Sequence, residues 1–142
     1  MTSWADASFL FSLYVLDANS AAAAAKMKRA ALPLLLADLG KIEVLNAIGL
    51  RLCRKELRPV QAKKVYDLFR EDLEHGVVQI VPLPAAAYQH AEQIARRHTP
   101  LLGTRTLGIL HVAGALVLKA DAFYTFDQKQ ARLATAVGLA IP

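Results

Sequence analysis

Short apolar runs alternate along the chain with longer stretches in which apolar residues return every three or four positions. Four runs are compact, bounded by polar or turn-forming residues, and predict strands. They lie around Trp4 and Ala5, in PLLLADLG after Pro33, in VVQIVPL and in DAFYTF. The segment LAIP predicts one further short strand.

The stretches between these runs predict helices. Pro59 stands where a first-turn proline belongs, and Gly76 marks the end of the same helix. In another stretch, leucine and isoleucine recur at helical spacing from Leu39 to Leu52. The remaining predicted helices are ASFLFSLYV, DANSAAAAAKMKRAAL with an N-cap at Asp17, Asn19 or Ser20, PAAAYQHAEQIARRH, TRTLGILHVAGALVLK and DQKQARLATAVG.

Strands that alternate with helices in this way indicate an α/β fold with a parallel sheet and helices on its faces. Sites in such sheets form at the carboxyl ends of the strands. Asp6, Asp38 and Asp127 each directly follow a predicted strand, and Glu43 comes early in the next helix. These acids are therefore the first candidates for chemistry.

Each acid also has a simpler interpretation. Asp127 is followed three residues later by Gln130, as in a capping box, and a capping aspartate can also bind a metal. Glu43 has no basic residue three or four positions away, so its partner must come from elsewhere. A cation, a distant Arg or Lys, and solvent all remain open for Glu43.

Composition narrows the class of protein. The chain has 142 residues, 55% hydrophobic and 20% charged, which predicts one globular domain over residues 1–142. No apolar run is long enough to cross a membrane. The single cysteine, Cys53, excludes an internal disulfide and indicates a reducing, cytoplasmic compartment; its apolar neighbours predict a buried thiol. The net charge of +5 favours polyanionic partners such as nucleic acid.

Four segments together resemble the PIN domain, and in particular the VapC-type toxins of bacterial toxin–antitoxin systems. They are ADASFLFSLY, LGKIEVLNAI, TRTLGILHVAGAL and FYTFDQKQARLATAVGL, in the family's order and spacing. The resemblance implies a parallel sheet of four to five strands flanked by helices, with an acidic site that binds Mg²⁺ or Mn²⁺. It further implies cleavage of RNA, a homodimer and inhibition by a cognate antitoxin.

The resemblance also assigns residues. Asp6 is the first acid, Glu43 the second and Asp127 the fourth, with Asp6 and Asp127 as expected metal ligands. Thr125 matches the hydroxyl residue that precedes the fourth acid. Two further residues have open roles: Ser8 would position a metal-bound water or act as a local cap, and Arg105 would contact a phosphate or remain solvated.

The third acid is missing. The family pattern D-x-x-H-x-A reads GILHVA here, so Gly108 stands at the aspartate position and His111 at the histidine. Three explanations compete: an inactivating change that allows a toxic protein to be produced, a natural member that binds without cutting, or a glycine needed for helix packing. We favour the first, because the other three acids are present. We expect impaired cleavage, and the alternative function is a non-catalytic RNA- or antitoxin-binding protein.

Overall fold

The computed structural model describes all 142 residues and contains a four-stranded parallel sheet. The strand order is β3-β2-β1-β4, so the first strand lies inside the sheet, between the second and the last. This confirms the predicted α/β class and parallel sheet. The strands are β1 (Ser3–Ala5), β2 (Leu34–Ala37), β3 (Val78–Val81) and β4 (Ala122–Tyr124).

The segment LAIP does not form the fifth strand that the sequence predicts. It contributes one isolated parallel bridge between Ala140 and Ala122, in which the amide of Phe123 donates to the carbonyl of Ala140 at 2.8 Å. The positive φ of +94° at Gly138 turns the chain towards the sheet only two residues earlier. Pro142, two residues after the bridge, has no N–H group to donate to a longer ladder.

Seven helices cover the sheet. None of them combines the length and the apolar character needed to cross a membrane. The helix between Pro84 and Gly103 continues four residues beyond its predicted end at His98 and includes Pro100 in its last turn. The helices are α1 (Ala7–Tyr14), α2 (Ser20–Met27), α3 (Asp38–Cys53), α4 (Pro59–Glu74), α5 (Ala85–Leu102), α6 (Thr106–Val117) and α7 (Gln128–Ala136).

Two hydrophobic clusters hold these layers together. The first contains Phe9 and Phe69 and joins the sheet to α1, α3 and α4. The second contains Trp4 and Phe123 and joins it to α5, α6 and α7. Neighbouring residues of β1 take part in different clusters, Trp4 in the second and Ala5 in the first, because side chains alternate across a strand.

Helix α3 is confirmed, but its buried face differs from the apolar repeat in the sequence. Gly40, Val44 and Ile48 are the buried residues, whereas Ile42 is 69% exposed. Cys53 is exposed as well, so the prediction of a buried thiol is wrong. Successive helical residues differ by about 100° around the axis, which turns Cys53 away from the buried face that contains Val44 and Ile48.

Candidate functional site

Asp6 directly follows β1 and is the N-cap of α1, with its side chain buried in the protein. Its side chain is 3% exposed and accepts three hydrogen bonds. Oδ1 accepts from the amide of Phe9 at 3.1 Å and from Ser8 Oγ at 2.6 Å, while Oδ2 accepts from the Thr125 hydroxyl. Burial nevertheless raises the pKa of this carboxyl above its usual value, because the loss of hydration outweighs the hydrogen bonds that favour the charged form.

Two hydroxyl groups tie Asp6 to the segment between β4 and α7. Ser8 Oγ accepts from the amide of Phe126 at 3.0 Å, and Thr125 Oγ1 accepts from the amide of Asp127 at 3.0 Å. Both hydroxyls also donate to Asp6. The first and fourth predicted acids are therefore joined through Ser8 and Thr125, although they are far apart in the sequence.

Asp127 is the N-cap of α7, as predicted, but Gln130 does not complete the capping box, because the amide of Asp127 donates to Thr125 instead. Asp127 Oδ1 accepts from the amide of Gln130 at 3.0 Å. The side chain also lines an open cavity, so capping leaves Asp127 available to a ligand. Asp38, the remaining acid that follows a strand, is exposed, accepts from the amide of Leu39 and lies outside this cavity.

The partner of Glu43 is His111, which none of the open interpretations included. His111 Nε2 forms a hydrogen bond with Glu43 Oε1 from the neighbouring helix α6. The imidazole is 1% exposed, so His111 is a hydrogen-bonded core histidine, and its Nδ1 has no partner. The signal that the sequence offered was the histidine itself, three residues after Gly108 on an otherwise apolar helix.

The cavity has a volume of about 680 Å³ and lies between α3, α6 and α7. Glu43 and Asp127 are its acidic residues, and Gly108 lies in its wall. Asp6 is not among the lining residues. The other lining residues are mostly polar or basic: Thr104, Arg105, Thr106, Leu107, Gln128, Lys129, Gln130, Arg132 and Leu133.

Gln130 covers Gly108. A Cβ atom built on Gly108 would lie 2.9 Å from Gln130 Oε1 and 3.4 Å from its Cδ. The glutamine side chain therefore occupies the space next to the position that the sequence resemblance assigns to the third carboxylate. Gln130 is 9% exposed, and its Nε2 is buried without a hydrogen-bond acceptor.

These residues, as they are arranged, do not fit a bound divalent cation. No group of three or more Asp, Glu, His or Cys side chains lies close enough together to hold a metal ion. Asp6 is already satisfied by three donors, and only Glu43 and Asp127 offer carboxylate oxygens to the cavity. Mg²⁺ prefers near-octahedral oxygen coordination, and two carboxylates without Asp6 or an acid at 108 supply little of it.

A parallel sheet with acids at the carboxyl ends of β1 and β4 and a cavity beside them defines an α/β protein with an acidic sheet-edge site. The sequence model of the PIN domain family matches residues 5–136, and the chain belongs to this family. No curated protein matches the sequence significantly.

Solved structures share the fold at low sequence identity. FitAcB from Neisseria gonorrhoeae is similar with a TM-score of 0.69 and 16% identity, over 99% of this chain and 96% of that one. VapC20 from Mycobacterium tuberculosis, described as a toxin that cleaves the sarcin–ricin loop, is similar with a TM-score of 0.68 and 16% identity. That likeness covers 98% of this chain and 97% of VapC20.

Proposed function

We propose that this chain is a toxin-type endoribonuclease of the PIN family in which cleavage is impaired because Gly108 replaces the third acid. One observation carries the proposal. Glu43 and Asp127 line the same cavity as Gly108, with Asp6 joined to Asp127 through Thr125. Three of the four family positions keep their acids, and the vacant one faces the cavity.

The expected cofactor is Mg²⁺ or Mn²⁺, because hard cations prefer oxygen ligands. The family resemblance assigns Asp6 and Asp127 as its ligands, and binding would require a carboxylate at position 108 together with access to Asp6, which is buried and outside the cavity in the unchanged chain. Without that carboxylate the site loses a coordinating oxygen and a negative charge together, so we expect weak binding of the cation. Glu43, held by His111, would orient the reacting groups.

The substrate and partners are proposed on the same basis. RNA as substrate is supported by the net charge of +5 and by the likeness to a toxin described as cleaving the sarcin–ricin loop. A cognate antitoxin, a second copy of the chain and a cytoplasmic location follow from the family resemblance. The whole chain, residues 1–142, would act as one PIN-like domain.

The test restores the acid. Gly108→Asp requires Gln130 to move, but the close atom is the far end of a flexible side chain, so the substitution is sterically possible. Loss of a group that merely supports a metal ligand costs about 10- to 100-fold. We therefore expect Gly108→Asp to raise RNA cleavage in Mg²⁺ or Mn²⁺ by at least about 100-fold.

Gly108→Asn is the matched control, since it has the same size as aspartate but no charge. The expected order of cleavage rates is Gly108→Asp well above both Gly108→Asn and the unchanged chain, and the gain should disappear in EDTA. If Gly108→Asp folds, binds RNA and still cleaves none of a broad set of RNAs, the proposed nuclease function is wrong.

A further inference from the structure

The charged groups around the cavity are arranged for an anion. Three basic side chains line it, and none of them has a carboxylate within 4.0 Å: Arg105, Lys129 and Arg132. The two lining acids are both engaged, Glu43 with His111 and Asp127 with the amide of Gln130. The lining therefore has three basic side chains without a carboxylate partner against two acidic ones, of which Glu43 is paired with His111 and Asp127 is held by its cap bond.

The N-terminus of α6 also favours an anion in the cavity. Its N-cap, Arg105, makes no side-chain capping bond, and no acid lies in its first turn. The first amides of a helix have no partner within the helix and carry the positive end of its dipole. Gly108 is the third residue of this helix, so an aspartate there would offset that positive charge. The glycine leaves it unbalanced beside the cavity.

Gln130 supplies an independent observation. It is nine-tenths buried, lies over Gly108 and has an Nε2 group with no acceptor. The structure places Oε1 beside Gly108, and a half-turn of the terminal amide would bring Nε2 there instead, with its N–H donors next to the first turn of α6. A buried carbonyl without a donor is tolerated better than a buried N–H without an acceptor. An anion at this place would satisfy the donors of the glutamine.

We propose that this cavity binds a phosphate group of RNA directly, with no bridging metal ion, through Arg105, Arg132, the N-terminus of α6 and the Gln130 amide. Lys129 adds positive charge at the rim. The chemistry is that of phosphate sites at helix N-termini with arginine side chains. The proposal rests on the proposed function for its ligand, RNA. On this proposal, glycine in place of aspartate at position 108 makes the cavity prefer a phosphate over a metal cation.

Binding in the absence of metal tests this. A fluorescein-labelled single-stranded RNA oligonucleotide is titrated with the protein in EDTA, and fluorescence anisotropy is measured at two salt concentrations. We expect binding that weakens with salt. Arg132→Gln and Gln130→Leu should each weaken it by about 10- to 100-fold, as for the loss of a hydrogen bond to a charged group. Lys64→Gln, on α4 and outside the cavity, removes the same charge and should change affinity little.

Gly108→Asp gives the reciprocal result. It should weaken RNA binding in EDTA by about tenfold or more, whereas the uncharged Gly108→Asn should weaken it less. A titration with inorganic phosphate is followed through the NMR signals of the Gln130 side-chain amide. It distinguishes a site that binds phosphate alone from a site that requires the RNA strand. Shifts with both ligands support the site described here. RNA binding that requires Mg²⁺, or that is equal for Gly108→Asp and the unchanged chain, would overturn it.

A third probe excludes a different partner. If polyglutamate shifts the Gln130 signals while neither phosphate nor RNA does, the cavity recognises carboxylates and the proposal is wrong. The outcomes also separate the two proposals. Cleavage by Gly108→Asp without metal-free RNA binding by the unchanged chain refutes only the phosphate site, and the opposite pair of results refutes only the nuclease function.

Discussion

Replacing single glycines of α6 by alanine tests whether Gly108 is there for packing. Gly108 and Gly114 lie on the same helix, and alanine is favoured over glycine inside helices by about 0.5–1 kcal/mol. What decides the net effect is the space that each new Cβ atom would enter. The two positions differ in this space, so we expect alanine to lower the stability at position 114 but not at position 108.

At Gly108 the new Cβ atom would meet only the end of the Gln130 side chain, at 2.9 Å. That amide can rotate into the cavity, and an off-rotamer side chain costs at most about 0.5–1.5 kcal/mol. At Gly114 the Cβ atom would lie 2.7 Å from Leu83 Cδ2 and 3.0 Å from the ring of Trp4. Trp4 is fully buried and cannot move aside, so overpacking there costs about 1–3 kcal/mol.

We therefore expect Gly108→Ala to be neutral or to stabilise by about 0.5 kcal/mol, and Gly114→Ala to destabilise by about 1 kcal/mol. In a domain of this size 1 kcal/mol corresponds to about 4 °C in Tm. Thermal unfolding followed by circular dichroism measures both. Gly49→Ala is the reference for an unhindered position, because its nearest neighbour would be Tyr66 Oη at 4.0 Å. A loss for Gly108→Ala as large as that for Gly114→Ala would show that packing requires glycine at 108 and would refute this reasoning.

Two more predictions concern buried polar groups. Burial raises the pKa of Asp6 in the folded protein above its value of 3.8 in the unfolded chain. Protonated Asp6 therefore favours folding: this contribution to the free energy of unfolding is complete below pH 3.8 and is lost as the pH rises through the folded-state pKa. Asp6→Asn should therefore raise Tm at pH 7, with a smaller gain near pH 4; a Tm gain that does not shrink at low pH would contradict this. Tyr14 donates to Asp72 Oδ2 at 2.6 Å, so Tyr14→Phe should cost about 1–2 kcal/mol in urea unfolding, and less when Asp72→Asn is also present. Burial and Asp72 raise the pKa of Tyr14, so stability should fall above pH 10 in the unchanged chain and not in Tyr14→Phe.

The fold could be predicted from local signals, and its exceptions have physical causes. Apolar runs located all four strands, and Pro59 and Gly76 located the ends of α4 within two residues. The segment LAIP has the composition of a strand, but strand formation requires a neighbour along its length, and the sequence does not contain that information. The exposure of Cys53 has a similar cause, since apolar neighbours in sequence do not decide which face of a helix is buried.

The sequence predicts which acidic residues belong to the site, but not the side chains that contact them. Asp6 and Asp127 each follow a strand, which a parallel sheet brings to one edge. The contact between Glu43 and His111 joins residues on two helices, and no pattern within either helix indicates the angle at which they cross. The position of Gln130 over Gly108 was equally hidden, because it depends on how closely α7 approaches α6.

The strand order has a consequence for the protein during its synthesis. β1 is translated first but lies between β2 and β4, so one of its edges stays unpaired until residues 122–124 have left the ribosome. The hydroxyl of Thr125, which holds Asp6, arrives in the same late segment. A nascent chain can assemble the α1–α4 half early, as domains fold from their N-terminal parts, but pairings between distant segments must wait. The cavity therefore forms only after α7 has been synthesised, because residues of α7 are part of its lining.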